Sequence, residues 1–330
     1  MTANFIDMPK VELHTHIDCS LSYATVARLG LGLSMEEYRR NFVAPPRCQD
    51  LTEFLGCIDP ALAALQTKAA LEIAVDGMIA AQSEENVLYA EIRFAPHLHQ
   101  AEGLPLEEIV ETVLQAMHSS STHYGVDCRL ILCTLRHFSE AQGLEVASLV
   151  RRYSGQGVFA LDLAGDEANF PITPHIAAFR MVRDAGLNVI AHAGESKGAE
   201  SVKETLDLLG VQRIGHGVRS NEDPILVDRL VNDRLHLEVC PSCNIQTGIY
   251  PDISKHSLGQ LRYAGVRISL NTDARATTNV SLSDEYSRVS QAFGWSENEM
   301  LDFTQSALEA SFAPDNVKTK IRGQISAFEA

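Results

Sequence analysis

The sequence predicts an α/β fold: a closed (β/α)8 barrel of the TIM type with a helical insertion after the first strand. Three observations predict it. Eight short runs rich in Val, Ile and Leu recur along the chain. Longer stretches with helical periodicity separate most of them. No segment rich in Pro, Gly or Ser divides the 330 residues, so 1–330 is expected to form one domain, a length that barrels of this kind reach.

The eight runs are Lys10–His14, Leu88–Phe94, Cys128–Cys133, Val158–Leu163, Asn188–His192, Arg213–Gly215, Leu235–Val239 and Arg267–Asn271. Each has the length and the near-continuous apolar character of a strand buried on both faces. Leu106 to His118 carries Ile109, Val110, Val113, Leu114 and Met117 at three- and four-residue spacing, the apolar face of a helix. Glu145–Tyr153, Ile172–Ala185 and Ala199–Leu209 read the same way. Strands that alternate with helices pair in parallel. Pattern alone leaves an open sheet as the alternative to a barrel.

Residues 19–87 break the alternation. They are mostly helical by pattern, with a loop at Pro45-Pro46. An insertion after a barrel strand falls on the face that holds barrel active sites, so 19–87 is expected to act as a lid. The tail beyond Ala292 reads as two or three closing helices.

Composition narrows the function. Lys and Arg number 27 against 43 Asp and Glu, a formal charge of −16. That charge repels polyanions, and no basic run offers a phosphate-binding face, so no nucleic acid partner is expected. No apolar run is long enough to span a bilayer, so no membrane partner is expected either. The opening ten residues lack a basic stretch followed by an apolar one, so no signal peptide is expected. The seven scattered cysteines read as reduced thiols. A soluble cytoplasmic protein is expected, as a monomer or homodimer.

Residues able to do chemistry stand at the ends of the runs, where barrel enzymes build their sites. His14 and His16 are two apart, so on a strand they share a face and can share a metal. His192 ends the fifth run and is followed by Gly194 and Glu195. His216 lies between Gly215 and Gly217, and Asp273 follows the eighth run. Three imidazoles and one carboxylate suit zinc and leave room for water. Zinc makes hydroxide available near neutral pH, and a separate carboxyl and imidazole handle protons. Cys240-Pro241-Ser242-Cys243 lacks a second pair to complete a structural zinc site, so it reads as two thiols at the seventh strand end.

Together these motifs resemble the adenosine deaminase family. Met8-Pro9-Lys10-Val11-Glu12-Leu13-His14-Thr15-His16-Ile17-Asp18 resembles its opening signature. His192-Ala193-Gly194-Glu195, Arg213-Ile214-Gly215-His216-Gly217 and Ser269-Leu270-Asn271-Thr272-Asp273 resemble three others, and Asp162-Leu163-Ala164-Gly165-Asp166-Glu167 a fifth. The resemblance implies a zinc-dependent hydrolytic deaminase of a purine nucleoside, with one zinc per chain on His14, His16, His192 and Asp273. It implies Glu195 as the proton donor to purine N1 and His216 as the group that orients and deprotonates the attacking water. It further implies Gly165 at N3 and Asp18 at the ribose 5′-hydroxyl, with Leu51, Phe54 and Leu55 on a gating helix over the ribose.

Three positions depart from the family pattern. Cys19 replaces a usual Gly and Cys243 stands near a usual Ser. Ala274 replaces the second Asp of Thr-Asp-Asp, the residue that the resemblance places at N7. Leaving N7 buried without a donor costs about 1–3 kcal/mol. Either Arg275, Asn279 or a bridging water takes over, which is the favoured expectation, or the natural substrate holds its base differently. The leading expectation is deamination of adenosine and 2′-deoxyadenosine to the inosine product plus ammonia. The alternative is another 6-aminopurine, such as aminodeoxyfutalosine or adenine. Asp18 resembles the nucleoside-specific pattern rather than the Glu of adenine-specific relatives or the Asn of the N6-methyl-AMP group.

Overall fold

The computed structural model of the chain describes residues 5–329. Its eight strands are β1 Lys10–His16, β2 Val87–Phe94, β3 Asp127–Leu135, β4 Val158–Ala164, β5 Asn188–Ala193, β6 Arg213–His216, β7 His236–Val239 and β8 Arg267–Leu270. They pair in parallel in sequence order, β1 through β8. The first and last strands also meet: His16 N donates to Asp273 O at 2.8 Å and Asp273 N to His14 O at 2.9 Å. Those two bonds close the ring beyond the end of β8, and they extend β1 to His16 rather than His14.

The wall follows from composition. Val11, Leu13, Ile92, Leu130, Leu132, Leu161 and Leu163 are fully buried in one core cluster with the surrounding helices. Parallel strands covered on both faces need such continuous apolar runs. Helix Leu106–Tyr124 buries Ile109, Val110, Val113 and Met117, as its periodicity predicts. Helix Ala199–Leu209 stops where Gly210 takes φ +63°, a left-handed C-cap that favours glycine.

Beside a small apolar cluster of Ile131, Ala160 and Ile190, the barrel interior below the strand ends carries charge. Arg93 and Glu91 of β2, Asp162 of β4, Arg213 of β6 and Glu238 of β7 are all buried. Buried ions persist only when paired, and these are. Arg93 donates to Asp162 Oδ2 at 2.8 Å and to Glu238 Oε2 at 2.7 Å. Arg213 meets Glu238 Oε1 at 2.5 Å and Glu91 Oε2 at 2.7 Å.

Between β1 and β2 the chain forms helices Tyr23–Arg28, Met35–Phe42, Leu51–Gly56, Asp59–Ala64 and Lys68–Glu84. The last buries Leu71, Ala74, Val75, Met78 and Ile79 against the core. β1 is irregular where it matters: Glu12 pairs with Ala90 and Thr15 with Ile92, so three steps of β1 meet two of β2. Such a bulge re-aims side chains, and it falls on the segment that carries His14.

Candidate active site

The strand ends converge on one cavity of about 420 Å³. His16, Asp18, Gly165, His192, Glu195, His216, Asp273 and Ala274 line it, under Leu51, Phe54 and Leu55 of the inserted helix. The size lies within the range of small-ligand pockets.

His14, His16, His192 and Asp273 each bring one ligand atom into a group whose atoms all lie within 4.8 Å of one another. Asp273 Oδ1 is 3.2 Å from His14 Nε2 and 3.4 Å from His16 Nε2. His14 Nε2 is nevertheless buried with no hydrogen-bond partner. Two atoms that face each other at 3.2 Å without a hydrogen bond point toward a common third position. The opposite ring nitrogens explain why these faces are free. His14 Nδ1 lies 3.0 Å from Glu238 Oε2, and His192 Nδ1 lies 3.2 Å from Asp162 Oδ1. A carboxylate behind each imidazole holds the proton on Nδ1 and leaves the Nε2 lone pair for a cation. The donor set therefore fits a metal ion. His14, His216, Cys240 and Asp273 form a second close group. Burial raises the Cys240 thiol well above its ordinary range. His216 Nδ1 faces the Asn244 amide rather than a carboxylate, so the first group suits a cation better.

The backbone around these groups is unusual for physical reasons. His216 and Asp273 both adopt φ +61°, a left-handed conformation that costs energy for residues other than glycine. Gly215 needs its missing side chain: a Cβ there would stand 3.0 Å from His14 Cε1 and 3.1 Å from His192 Cγ. Gly194, at φ +67°, would press a Cβ into Val202 at 2.5 Å.

Glu195 rides on that Gly194 turn. Glu167 shapes the turn by accepting from Gly194 N (2.7 Å), Glu195 N (3.0 Å), Ser196 N (2.7 Å) and Lys197 N (3.0 Å). Glu195 itself is buried, and its Oε1 has no partner. Burial first, then the charges of Asp273 and Glu167, push its carboxyl well above the usual carboxylate range. The shift favours the protonated acid, the form with a proton to offer.

His216 Nε2 lies 3.6 Å from Glu195 Oε2 and 3.9 Å from Asp273 Oδ2. Burial drives its pKa well down, so the ring is neutral. A hydrogen-bond chain selects the tautomer. Leu258 N donates to His256 Nδ1 at 3.0 Å, which puts the His256 proton on Nε2. His256 Nε2 then donates to Asn244 Oδ1 at 3.2 Å. Asn244 Nδ2 is left to donate to His216 Nδ1, also at 3.2 Å. The His216 proton sits on Nε2, facing the site.

A profile of the adenosine deaminase family matches residues 9–328. The chain is 31% identical over 323 residues to adenosine deaminase of Clostridium acetobutylicum, covering 96% of each chain. It is 32% identical over 324 residues to adenosine deaminase of Lacticaseibacillus paracasei, covering 96% of this chain and 95% of that one. The chain belongs to the adenosine deaminase family. As a family member it is a hydrolytic deaminase. An adenine deaminase structure from Arthrobacter aurescens superposes with a TM-score of 0.88 at 28% identity, covering 97% of this chain and 99% of that one. The Arabidopsis N6-methyl-AMP deaminase shares the fold, with a TM-score of 0.88 at 24% identity, covering 98% and 99%.

Three features bear on where this member differs within the family. Asp18 is buried with Oδ1 unpartnered, and burial raises its pKa to about 7. His99, which sequence reasoning passes over, stands 3.9 Å away and is anchored by Leu65 O. Thr52 of the inserted helix donates to Asp166 Oδ2 at 2.9 Å, tying that helix to the loop after β4. Ala274 packs in one cluster with Cys19, Cys240, Cys243, Leu51 and Phe54. The three departures from the family pattern therefore form one apolar wall.

Two expected substitutes for the missing acid at Ala274 are corrected. Arg275 is partly buried and committed to Glu12, at 3.2 Å, and to Glu85. Asn279 lines a separate cleft with Tyr23 and Tyr38. Neither is among the described residues that line the active-site cavity.

Proposed function

We propose that this chain is a zinc-dependent adenosine deaminase that converts adenosine and 2′-deoxyadenosine to the inosine product and ammonia. The observation that carries the proposal is a buried Glu195 carboxyl, with a free Oε1, in the same cavity as His16, His192, His216 and Asp273. One zinc, held by His14, His16, His192 and Asp273, would supply hydroxide near neutral pH. In this reading Glu195 gives its proton to purine N1 as the nucleophile adds at C6, so the ring does not carry the developing charge. The Glu195 carboxylate then takes the proton of the hydroxyl now on C6 and gives it to the exocyclic nitrogen, so the C6–N bond breaks, ammonia leaves and the C6 carbonyl forms; the next water returns a proton to Glu195.

His216 acts here as a fixed N–H donor that orients the nucleophile. The Leu258–His256–Asn244 chain supports orientation rather than the deprotonation that the family resemblance implies. Gly165, at φ +92°, brings bare backbone to the cavity wall and serves N3. Leu51, Phe54 and Leu55 cover the ribose and exclude water.

The charge of the cavity supports a nucleoside. Asp18, Asp59, Asp166, Glu195 and Asp273 line it, with no Lys or Arg among the described lining residues. Away from the proposed zinc, a phosphate dianion would meet the carboxylates of Asp59 and Asp166 and no basic side chain. Adenine would leave the buried Asp18 oxygen without its hydroxyl, a cost of about 1–3 kcal/mol. The test is ammonia release from adenosine, 2′-deoxyadenosine, adenine, AMP and aminodeoxyfutalosine with zinc-loaded enzyme. Adenosine should exceed AMP by roughly 100-fold in kcat/KM, about 2.8 kcal/mol. Faster turnover of AMP or adenine would overturn the assignment.

A further inference from the structure

The opposite mouth of the barrel holds a second cavity, of about 530 Å³. Its lining includes Arg183, Arg213, Arg234, Arg267, His236 and Glu309. Four guanidiniums meet there in a chain whose net charge is −16. The sequence hides this cluster, because its members come from different elements. Strand register assembles three of the lining residues: Arg213 pairs with His236, and His236 with Arg267, in one row across β6, β7 and β8.

Arg213 is taken up by Glu238, Glu91 and Ala310 O, but the other three cations are not consumed by the fold. No side-chain hydrogen bond or ion pair is found for Arg234 or Arg267 among the described residues. Arg183 lies against Gly210, whose missing Cβ makes room for the guanidinium, and it gives only Nη1 to Leu209 O, at 3.1 Å. Glu309, the one acid among the described lining residues, is already held by Arg322 at 2.7 Å.

His236 supplies an independent sign of a ligand. It is only 2% exposed, and its Nδ1 has no partner. Asn271 Nδ2 donates to Ser269 Oγ at 3.0 Å, and His236 Nε2, at 2.9 Å, is the one acceptor among the described residues for the Ser269 hydroxyl proton. The His236 proton is then on Nδ1. A buried N–H donor without an acceptor is costly unless something fills the position. Burial holds this imidazole neutral, with its pKa lowered to about 3, so the donor persists at any physiological pH.

We propose that this lower cavity binds the phosphate group of a small anion, either inorganic phosphate or a phosphate monoester. Guanidinium forks match phosphate oxygens in geometry and charge. The volume leaves space for a small organic residue beside the phosphate. The site is separate from the deaminase cavity and does not rest on the choice of purine.

The test is calorimetric titration of the full-length protein at constant ionic strength with inorganic phosphate, ribose 5-phosphate and ribose. Saturable binding of at least one phosphate compound is expected, with a Kd of about 1 mM or tighter, and none of ribose. Arg234→Gln and Arg267→Gln change exposed or half-exposed side chains, so both should fold with an unchanged melting temperature. Each should weaken binding about tenfold, as expected for loss of one charge-assisted contact. Tighter binding of ribose 5-phosphate identifies a monoester ligand, and tighter binding of inorganic phosphate identifies the free ion. Absence of saturable binding by either compound would overturn the proposal. So would variants that bind both as tightly as the unaltered protein, since binding would then lie elsewhere.

Discussion

Asp162→Asn tests how the barrel interior holds the metal ligands. Asp162 is fully buried on β4, with Oδ1 on His192 Nδ1 at 3.2 Å and Oδ2 on Arg93 Nη1 at 2.8 Å. Asparagine keeps the shape but offers one acceptor where two donors converge. Whichever way the amide turns, either His192 or Arg93 faces an NH2. Breaking one side of a buried ion pair costs about 3–5 kcal/mol. Arg93 retains Glu238 at 2.7 Å and Leu13 O at 2.5 Å, so the loss should fall near the lower bound, about 3 kcal/mol. Loss of a carboxylate behind a metal-binding histidine weakens metal affinity about 10–100-fold, or about 1.4–2.8 kcal/mol. The assay is zinc competition against a chromophoric chelator well below both melting temperatures, with thermal unfolding of the zinc-free proteins measured separately. If the variant is destabilised yet binds zinc as tightly as the parent, Asp162 serves the core alone and the positioning argument fails.

The other predictions concern the proton-transfer groups and the apolar wall. Glu195→Gln should lower turnover by about 100-fold or more while retaining zinc. Because burial raises the folded pKa of Glu195, its contribution to stability is fully present below the unfolded value near 4.3 and is lost as pH rises through the folded value. The variant should therefore gain stability over the parent as pH rises above the unfolded value near 4.3, by about 1.4 kcal/mol for each pH unit between the unfolded and folded values; parallel stability curves would refute a raised pKa. Nitrogen-15 NMR of the zinc-free protein should find His216 protonated at Nε2 and not at Nδ1, and the reverse pattern would return His216 to the role of base. With Arg275 committed elsewhere, water is the remaining donor to N7, so 7-deazaadenosine should be about fivefold poorer than adenosine, near 1 kcal/mol. Ala274→Asp should raise adenosine turnover, and a fall would show that the wall has no room for the acid.

The parts of the fold that are legible in the sequence are those decided locally. Ala199–Leu209 is readable to the residue because Gly210 stops it. The helix expected at Glu145–Tyr153 begins instead at Glu140, because Ser139 and Gln142 form a capping box that precedes the apolar pattern. The barrel is legible because eight buried parallel strands have little alternative pattern. The open sheet is excluded by backbone pairing of β1 with Asp273. That contact joins residues near opposite ends of the chain, which no local window can show.

The site divides along the same line. Histidine and aspartate at strand ends stand out in a sequence, because apolar strands rarely carry them without cause. The groups that make them work do not stand out. Glu238 reads as a polar interruption of the run Leu235–Val239, and Arg93 as one of Leu88–Phe94. Their meaning appears only when the ring closes. A cation at this site needs His14 and His192 with Nε2 free, and each has an anionic acceptor behind it. Two buried carboxylates need a cation between them, and Arg93 is that cation. The second oxygen of Glu238 then needs its own partner, which is Arg213. Each demand creates the next, from the candidate metal site down to the arginines of the lower mouth. That chain of demands explains why this barrel carries paired ions in its interior beside Ile131, Ala160 and Ile190, where further aliphatic side chains would pack at lower cost.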